Sequence, residues 1–179
     1  MRNMKAQDYI VSRNGYNVSC KLYYEDKKAI RGVVLFGHGF GGHKDNKAAE
    51  RFAERALDKL KLCTVTFNWP CHGDDVRKKL RLGDCDGYLT AVVEDIRARY
   101  GDPVLYAYAT SFGAVLFLKY ISDHGSPFRR MALRGPCGGP VPDPNGEDHD
   151  AGGPPSHRKG QGGHGGLRSE GAPRQDLSR

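Results

Sequence analysis

The stretch Tyr106-Ala-Tyr-Ala-Thr-Ser-Phe-Gly-Ala114 decides the fold, because it places Ser111 between two apolar segments of different periodicity. Residues 104–108 have the β-branched and aromatic content of a buried strand, whereas residues 112–121 form a nearly unbroken apolar run of helical length. Ala109 and Gly113 are small, as a crowded strand-to-helix turn requires. Residues 109–113 are therefore a variant of the G-x-S-x-G motif with Ala for the first Gly. The alternative is a buried serine in an ordinary strand-to-helix loop.

A second motif follows an earlier hydrophobic segment, residues 32–36. It reads Gly37-His-Gly-Phe-Gly-Gly42, with Asp45 as a candidate helix cap shortly afterwards. Glycines in such a loop let the backbone approach a bound molecule closely. The spacing Gly37-x-Gly39-x-x-Gly42 also fits the dinucleotide-binding fingerprint, which requires an acidic residue about 20 positions further on, after the next strand. That strand ends at Asn68 and Trp69, so the sequence disfavours a nucleotide site.

Three motifs in this order resemble the α/β-hydrolase family, in its compact esterase and serine-aminopeptidase-like branch. They are His38-Gly-Phe-Gly-Gly42, Phe67-Asn-Trp-Pro-Cys-His-Gly-Asp74 and Ala109-Thr-Ser-Phe-Gly113. The resemblance implies that Ser111 is a catalytic nucleophile and that the backbone amides of Phe40 and Phe112 form the oxyanion hole. It implies a serine hydrolase that acts through an acyl-enzyme on carboxylic esters, or on amides or peptides, without cofactor or metal. The alternative is a catalytically inactive fragment of this fold that retains at most ligand or partner binding.

Residues 1–134 alternate between strand-like and helix-like segments, which predicts an α/β fold with a mostly parallel sheet and helices on both faces. An Asn14-Gly15 pair predicts a hairpin turn between the first two strands. The resemblance implies a partial α/β-hydrolase sandwich that lacks the C-terminal strands. The predicted segments are strands at 9–12, 18–24, 32–36, 62–67, 104–108 and 130–133, and helices at 46–62, about 89–100 and 112–121.

Residues 135–179 differ sharply in composition from the segment before them. They contain 12 of the 24 glycines and 7 of the 10 prolines, and their large aliphatic residues are Val141, Leu167 and Leu177. Such a segment has almost no apolar side chains to offset the entropy of ordering. We expect a boundary at Arg134, followed by a tail that is either natively disordered or the product of a shifted reading frame.

The general base and acid of the implied hydrolase cannot be assigned from the sequence. In the family that the chain resembles, both follow the nucleophile on loops after later strands, which here would lie beyond Arg134. We expect His38 to be structural, His72 to line the mouth of the site, and His124 to point away from Ser111 at the end of its helix. The tail offers unassigned candidates: Asp143, Asp148, His149, Asp150, His157 and His164. The spacing of the tail histidines does not suggest a metal site.

Charge and cysteine content limit the remaining possibilities. The chain carries a formal charge of +7, yet its basic run Arg77-Lys-Lys-Leu-Arg81 has no accompanying aromatic stacking pattern, so we expect a solvated loop and no nucleic-acid partner. Five scattered cysteines without a C-x-x-C pair predict reduced thiols and a cytoplasmic protein. No segment is apolar enough to predict a membrane span. The expected partner is a small-molecule ester or peptide substrate, and the sequence does not predict the oligomeric state.

Overall fold

The computed structural model describes residues 4–25 and 31–135. In chain order the strands and helices are β1 Lys5–Arg13, β2 Tyr16–Tyr24, β3 Gly32–Gly37, α1 Lys47–Leu60, β4 Leu62–Phe67, α2 Leu82–Tyr100, β5 Leu105–Thr110, α3 Phe112–His124 and β6 Arg130–Arg134. The expected α/β fold is confirmed. The predicted boundary at Arg134 stays a prediction, and the tail lies outside the described residues.

The described strands form one six-stranded mixed sheet in the order β1-β2-β4-β3-β5-β6. Strand β3 pairs in parallel with β4 and β5, and β5 pairs in parallel with β6, whereas β2 pairs antiparallel with β1 and β4. The hairpin turn of the first two strands is confirmed, since Asn14 and Gly15 have φ values of 52° and 76°. Positive φ at both positions is what a type I′ turn requires.

Alternate residues of the strands point to two separate apolar clusters, as expected for a sheet covered on both faces. In β3, Val33 and Leu35 belong to the large cluster that includes residues of α2 and α3. Their neighbour Val34 belongs to a second cluster with Ala56 and Phe52 of α1. The prediction of helices on both faces is therefore confirmed.

Two helix starts differ from the sequence-based expectation. Asn46 rather than Asp45 caps α1, because its side chain accepts a hydrogen bond of 2.7 Å from the Ala49 amide. Helix α2 begins at Leu82, a full two turns before the predicted start near Leu89. The first turns of α2 are rich in glycine and aspartate. The apolar face that Cys85 and other buried residues form is therefore not visible as a periodic pattern in the sequence.

Two threonines of β4 offer a matched test of buried hydrogen bonding. Thr64 and Thr66 are both fully buried, but only the Thr66 hydroxyl has a partner, the Lys44 carbonyl at 2.9 Å. Within residues 4–25 and 31–135, no group hydrogen-bonds the Thr64 hydroxyl. A buried polar group without a partner costs free energy, and one that is paired stabilises.

We therefore expect Thr64→Val and Thr66→Val to have opposite effects. Thr64→Val should leave the free energy of unfolding unchanged or raise it by about 1 kcal/mol, whereas Thr66→Val should lower it by about 1–2 kcal/mol because the Lys44 carbonyl loses its donor. Urea midpoints of the two variants measure this difference. Equal destabilisation by both substitutions would contradict it.

Candidate active site

Ser111 occupies the junction between β5 and α3. It has φ 49° and ψ −120°, between the last strand residue, Thr110, and the first helical residue, Phe112. Positive φ is uncommon for a residue with a side chain and is a form of backbone strain that concentrates at functional sites. The Ser111 amide donates a 2.9 Å hydrogen bond to the carbonyl of Arg134, at the end of β6. The predicted strand-to-helix turn at Ser111 is confirmed.

The glycine-rich loop after β3 packs directly against this turn. A Cβ placed on Gly113 would lie 2.5 Å from the His38 carbonyl oxygen and 2.8 Å from that of Gly37. A Cβ on Gly39 would lie 3.3 Å from the Ser111 Cβ. The two loops can therefore approach this closely because Gly113 has no side chain, and a side chain at Gly39 would be crowded against Ser111. Phe40, the next residue of the loop, is thereby held beside the serine turn.

Two backbone amides remain as candidate donors at this junction. Among the hydrogen bonds formed within the described part of the chain, none has the N–H of Phe40 or Phe112 as its donor. Phe112 is the first residue of α3, where backbone amides have no partner within the helix. Amides of this kind can bind a negatively charged oxygen.

Two hydrogen bonds donated by Trp69 to His38 join the loop after β4 to the loop after β3. The Trp69 side-chain Nε1 donates to the His38 carbonyl at 3.0 Å, and the Trp69 amide donates to His38 Nε2 at 3.4 Å. Because Nε2 accepts a hydrogen bond, the proton of the neutral imidazole resides on Nδ1, which lies 2.8 Å from the Gly39 carbonyl. Both side chains are fully buried. The hydrogen bonds of His38 therefore hold the glycine-rich loop in place, which agrees with its expected structural role.

Burial lowers the pKa of His38 to about 4, although its bond to Gly39 opposes the shift. The unfolded chain, with an ordinary histidine pKa near 6.5, therefore binds a proton that the folded chain excludes at pH values between about 4 and 6.5. Stability should consequently be full above this window and decrease as the pH falls through it.

We expect the wild-type chain to lose about 2 kcal/mol more stability than His38→Gln between pH 7 and pH 5, because glutamine does not titrate. Denaturant unfolding at both pH values measures the difference. The other histidines titrate in both proteins, so their contribution to the loss of stability cancels in the comparison. Equal losses of stability in the two proteins would contradict the expectation that folding excludes a proton from His38.

A second network fixes the far end of the same loop. The buried Asn68 side chain accepts a 2.7 Å hydrogen bond from the Lys44 amide and donates to Asp74. The Lys44 side chain is almost fully buried and forms 2.8 Å ion pairs with Asp8 and Asp45. Burial lowers the pKa of Lys44, but these pairs outweigh it and raise the pKa overall. Sequence reasoning missed this network, because it joins residues distant in the chain.

Three aromatic rings meet beside Ser111. The Phe40 ring makes edge-to-face contacts with Phe112 and His72, at 5.8 and 5.3 Å between centroids, and the His72 ring stacks on Phe112 at 6.2 Å. His72 Nδ1 lies 2.8 Å from the Pro70 carbonyl, which holds the imidazole within its own loop. The expectation that His72 lines the mouth of the site agrees with these contacts.

His124 and Asp86 form a direct histidine–carboxylate pair, but this pair lies away from Ser111. His124 Nε2, at the end of α3, is 2.8 Å from the carboxylate of Asp86, a residue of α2. Thirteen residues separate His124 from Ser111, which corresponds to about 20 Å at 1.5 Å per residue. His124 therefore points away from the serine, as expected. The candidate acids and histidines of the tail lie outside the described residues.

Other kinds of site find little support in the part of the chain that the structure describes. No group of three or more metal-ligating side chains occurs there. None of the described helices is long and apolar enough to cross a membrane. The glycine loop does not lead directly into a helix, since α1 begins at Lys47, five residues after Gly42. The four described cysteines, Cys20, Cys63, Cys71 and Cys85, are free thiols.

The chain belongs to the alpha/beta hydrolase fold family, whose sequence model matches residues 32–154. This confirms the resemblance drawn from the three motifs. The match begins at β3 and continues beyond Arg134, so the family assignment includes part of the segment that the sequence analysis set apart. No curated protein sequence matches the chain significantly.

Solved structures of esterases and hydrolases share the fold at low sequence identity. A cold-adapted esterase from an Arctic intertidal metagenomic library is 16% identical, with a TM-score of 0.63 over 73% of this chain and 60% of that one. A carboxyl esterase from Bacillus coagulans is 19% identical (TM-score 0.57; 73% and 44% covered), and a serine hydrolase homologue from Coxiella burnetii is 23% identical (0.56; 69% and 59%). The chain thus spans about half the length of these proteins.

Proposed function

We propose that this chain carries the nucleophile and oxyanion hole of a serine hydrolase acting on carboxylic esters, with amides or peptides as the wider substrate class. The observation that carries the proposal is the strained backbone of Ser111 between β5 and α3. Such a turn projects a serine hydroxyl from the carboxyl end of a parallel strand, where ligands of open α/β sheets bind. Esters are favoured because two structural neighbours are described as esterases.

In the proposed reaction the Ser111 hydroxyl attacks the acyl carbon and loses its proton to a general base. The bond between the acyl carbon and the alcohol oxygen breaks, the alcohol leaves with that proton, and the acyl-enzyme remains. The amides of Phe40 and Phe112 donate hydrogen bonds to the oxygen that becomes negatively charged. Water then releases the acid and restores the serine. We assign neither the base nor its carboxylate partner to a described residue.

A catalytically inactive hydrolase fold is the second candidate. One observation favours it: the directly paired His124 and Asp86 lie at the opposite end of α3 from Ser111. For either candidate we propose a small-molecule partner in the cytoplasm, rather than a nucleic acid or a membrane.

Covalent labelling tests the nucleophile. Residues 1–179 should react slowly with a fluorophosphonate at Ser111, because no assigned base assists removal of the hydroxyl proton. Mass spectrometry of the peptides locates the label, and Ser111→Ala should abolish the reaction. Ser122→Ala is the matched control, because Ser122 is an exposed residue of the same helix. Labelling that persists in Ser111→Ala would refute the proposed nucleophile.

A further inference from the structure

The side chain of Phe40 is unusually exposed for an aromatic residue. It is 74% accessible, and no other Phe, Tyr or Trp among residues 4–25 and 31–135 has an exposed side chain. Isolated apolar residues on a surface are ordinary. Phe40, however, lies on the loop that touches the Ser111 turn, and its ring belongs to a cluster of three rings. This combination of exposure and position suggests contact with a ligand.

The three rings meet one another at defined angles, and the Phe40 ring is also exposed to solvent. Phe40 stands at 87° to His72 and at 89° to Phe112, whereas His72 and Phe112 lie within 20° of parallel. Aromatic rings favour such edge-to-face and offset-stacked contacts with one another. The exposed part of the Phe40 ring can therefore make the same kind of contact with an incoming aryl group.

The position of these rings relative to the proposed chemistry defines which part of a substrate they would meet. Phe112 directly follows Ser111, and Phe40 directly follows Gly39, which packs on the Ser111 Cβ. A carbonyl group held between Ser111 and the two amides would therefore carry its acyl substituent within reach of these side chains. Binding sites of this type are lined mainly by apolar and aromatic groups.

We propose that Phe40, His72 and Phe112 form an acyl-binding site that prefers an aryl group to a saturated ring of similar size. This inference rests on the proposed function, because it assumes that the acyl carbon is placed at Ser111. The preferred substrates are thus esters of aromatic carboxylic acids. Phe40 is the residue of the three that can be changed without disturbing buried packing.

The test compares two fluorophosphonates that differ only in a phenyl or a cyclohexyl group on phosphorus. In each, Ser111 Oγ displaces fluoride from phosphorus and the hydroxyl proton is released. The measured quantity is the ratio of the two labelling rates, so the intrinsic reactivity of the probes cancels between variants. We expect Phe40→Leu to lower the phenyl-to-cyclohexyl ratio by about 2- to 10-fold, the range of measured aromatic pair energies.

Phe52→Leu is the matched control, because Phe52 packs against Phe36 and Tyr108 in the second apolar cluster. It should leave the ratio at the wild-type value. An unchanged ratio in Phe40→Leu, with Ser111 still labelled, would overturn the aryl preference while leaving the proposed nucleophile intact.

Equilibrium binding separates failure of the inference from failure of the proposed function. In Ser111→Ala, methyl benzoate should bind more tightly than methyl cyclohexanecarboxylate, measured by ligand-observed NMR, and adding Phe40→Leu should remove the difference. If no probe labels Ser111 but this binding preference is found, the proposed nucleophile is refuted and the proposed acyl-binding site is supported. If the two esters bind equally tightly, the aryl preference of the proposed acyl-binding site is refuted.

Discussion

Residues 1–179 are expected to hydrolyse an activated aryl ester only weakly, and Ser111→Ala should change that residual activity little. One junction brings together Ser111, the candidate oxyanion amides and the cluster of three rings. We assign no general base to the described residues. Loss of the base from a serine triad typically lowers turnover about a million-fold, leaving about 10³- to 10⁴-fold acceleration over water from the oxyanion hole and binding. Initial rates with an aryl acetate measure this, with Ser122→Ala as the control.

Strong turnover that depends on Ser111 would contradict this expectation and show that a base is present. Its source could then be traced with His72→Gln, since the His72 ring contacts Phe112. Activity that survives His72→Gln but is lost with residues 135–179 would assign the base to the tail. Strong turnover unaffected by Ser111→Ala would instead remove the basis of the proposed function.

Gly113→Val should lower the free energy of unfolding by about 3 kcal/mol or more, at the upper end of what overpacking costs. A Cβ there would meet the backbone carbonyl oxygens of His38 and Gly37 at 2.5 and 2.8 Å. These backbone atoms, at the end of the central strand β3 and directly after it, cannot move aside as a flexible side chain can. In a helix, replacing glycine with valine is otherwise neutral or slightly favourable. The loss would therefore come from close packing alone.

Gly83→Val supplies the matched control for this effect. Gly83 is an exposed glycine near the start of α2, and a Cβ added there would have no neighbour within 4 Å. Its free energy of unfolding, measured by urea denaturation, should stay within about 0.5 kcal/mol of wild type, as for other surface substitutions. If the two valine variants are equally stable, the packing of the glycine loop against the serine turn is not as tight as described.

Much of the fold could be predicted because its signals are local. Apolar periodicity and the Asn14-Gly15 turn identified most elements within a few residues. The position of Ser111 between a strand and a helix followed from the small residues on either side of it. These features depend on a few neighbouring residues, and a sequence displays them directly.

The features that could not be predicted depend on contacts between distant residues. The start of α2 was missed because Gly87, which a periodicity argument counts against a helix, is needed where the helix packs against the Tyr16 ring. The hydrogen bonds of Trp69 with His38, and of Asn68 with Lys44, pair a side chain with a backbone group 31 and 24 positions away. No local pattern indicates which of many polar side chains will meet in this way.

The hydrogen bond from the Ser111 amide to the Arg134 carbonyl makes the geometry of the proposed nucleophile depend on the edge of the sheet. Strand β6 is the last in the described sheet order and pairs only with β5 among the described strands. Edge strands separate from a sheet more readily than central ones. The strained serine and the end of β6 therefore form one cooperative unit, in which detachment of the edge strand would also release the backbone conformation that presents the hydroxyl.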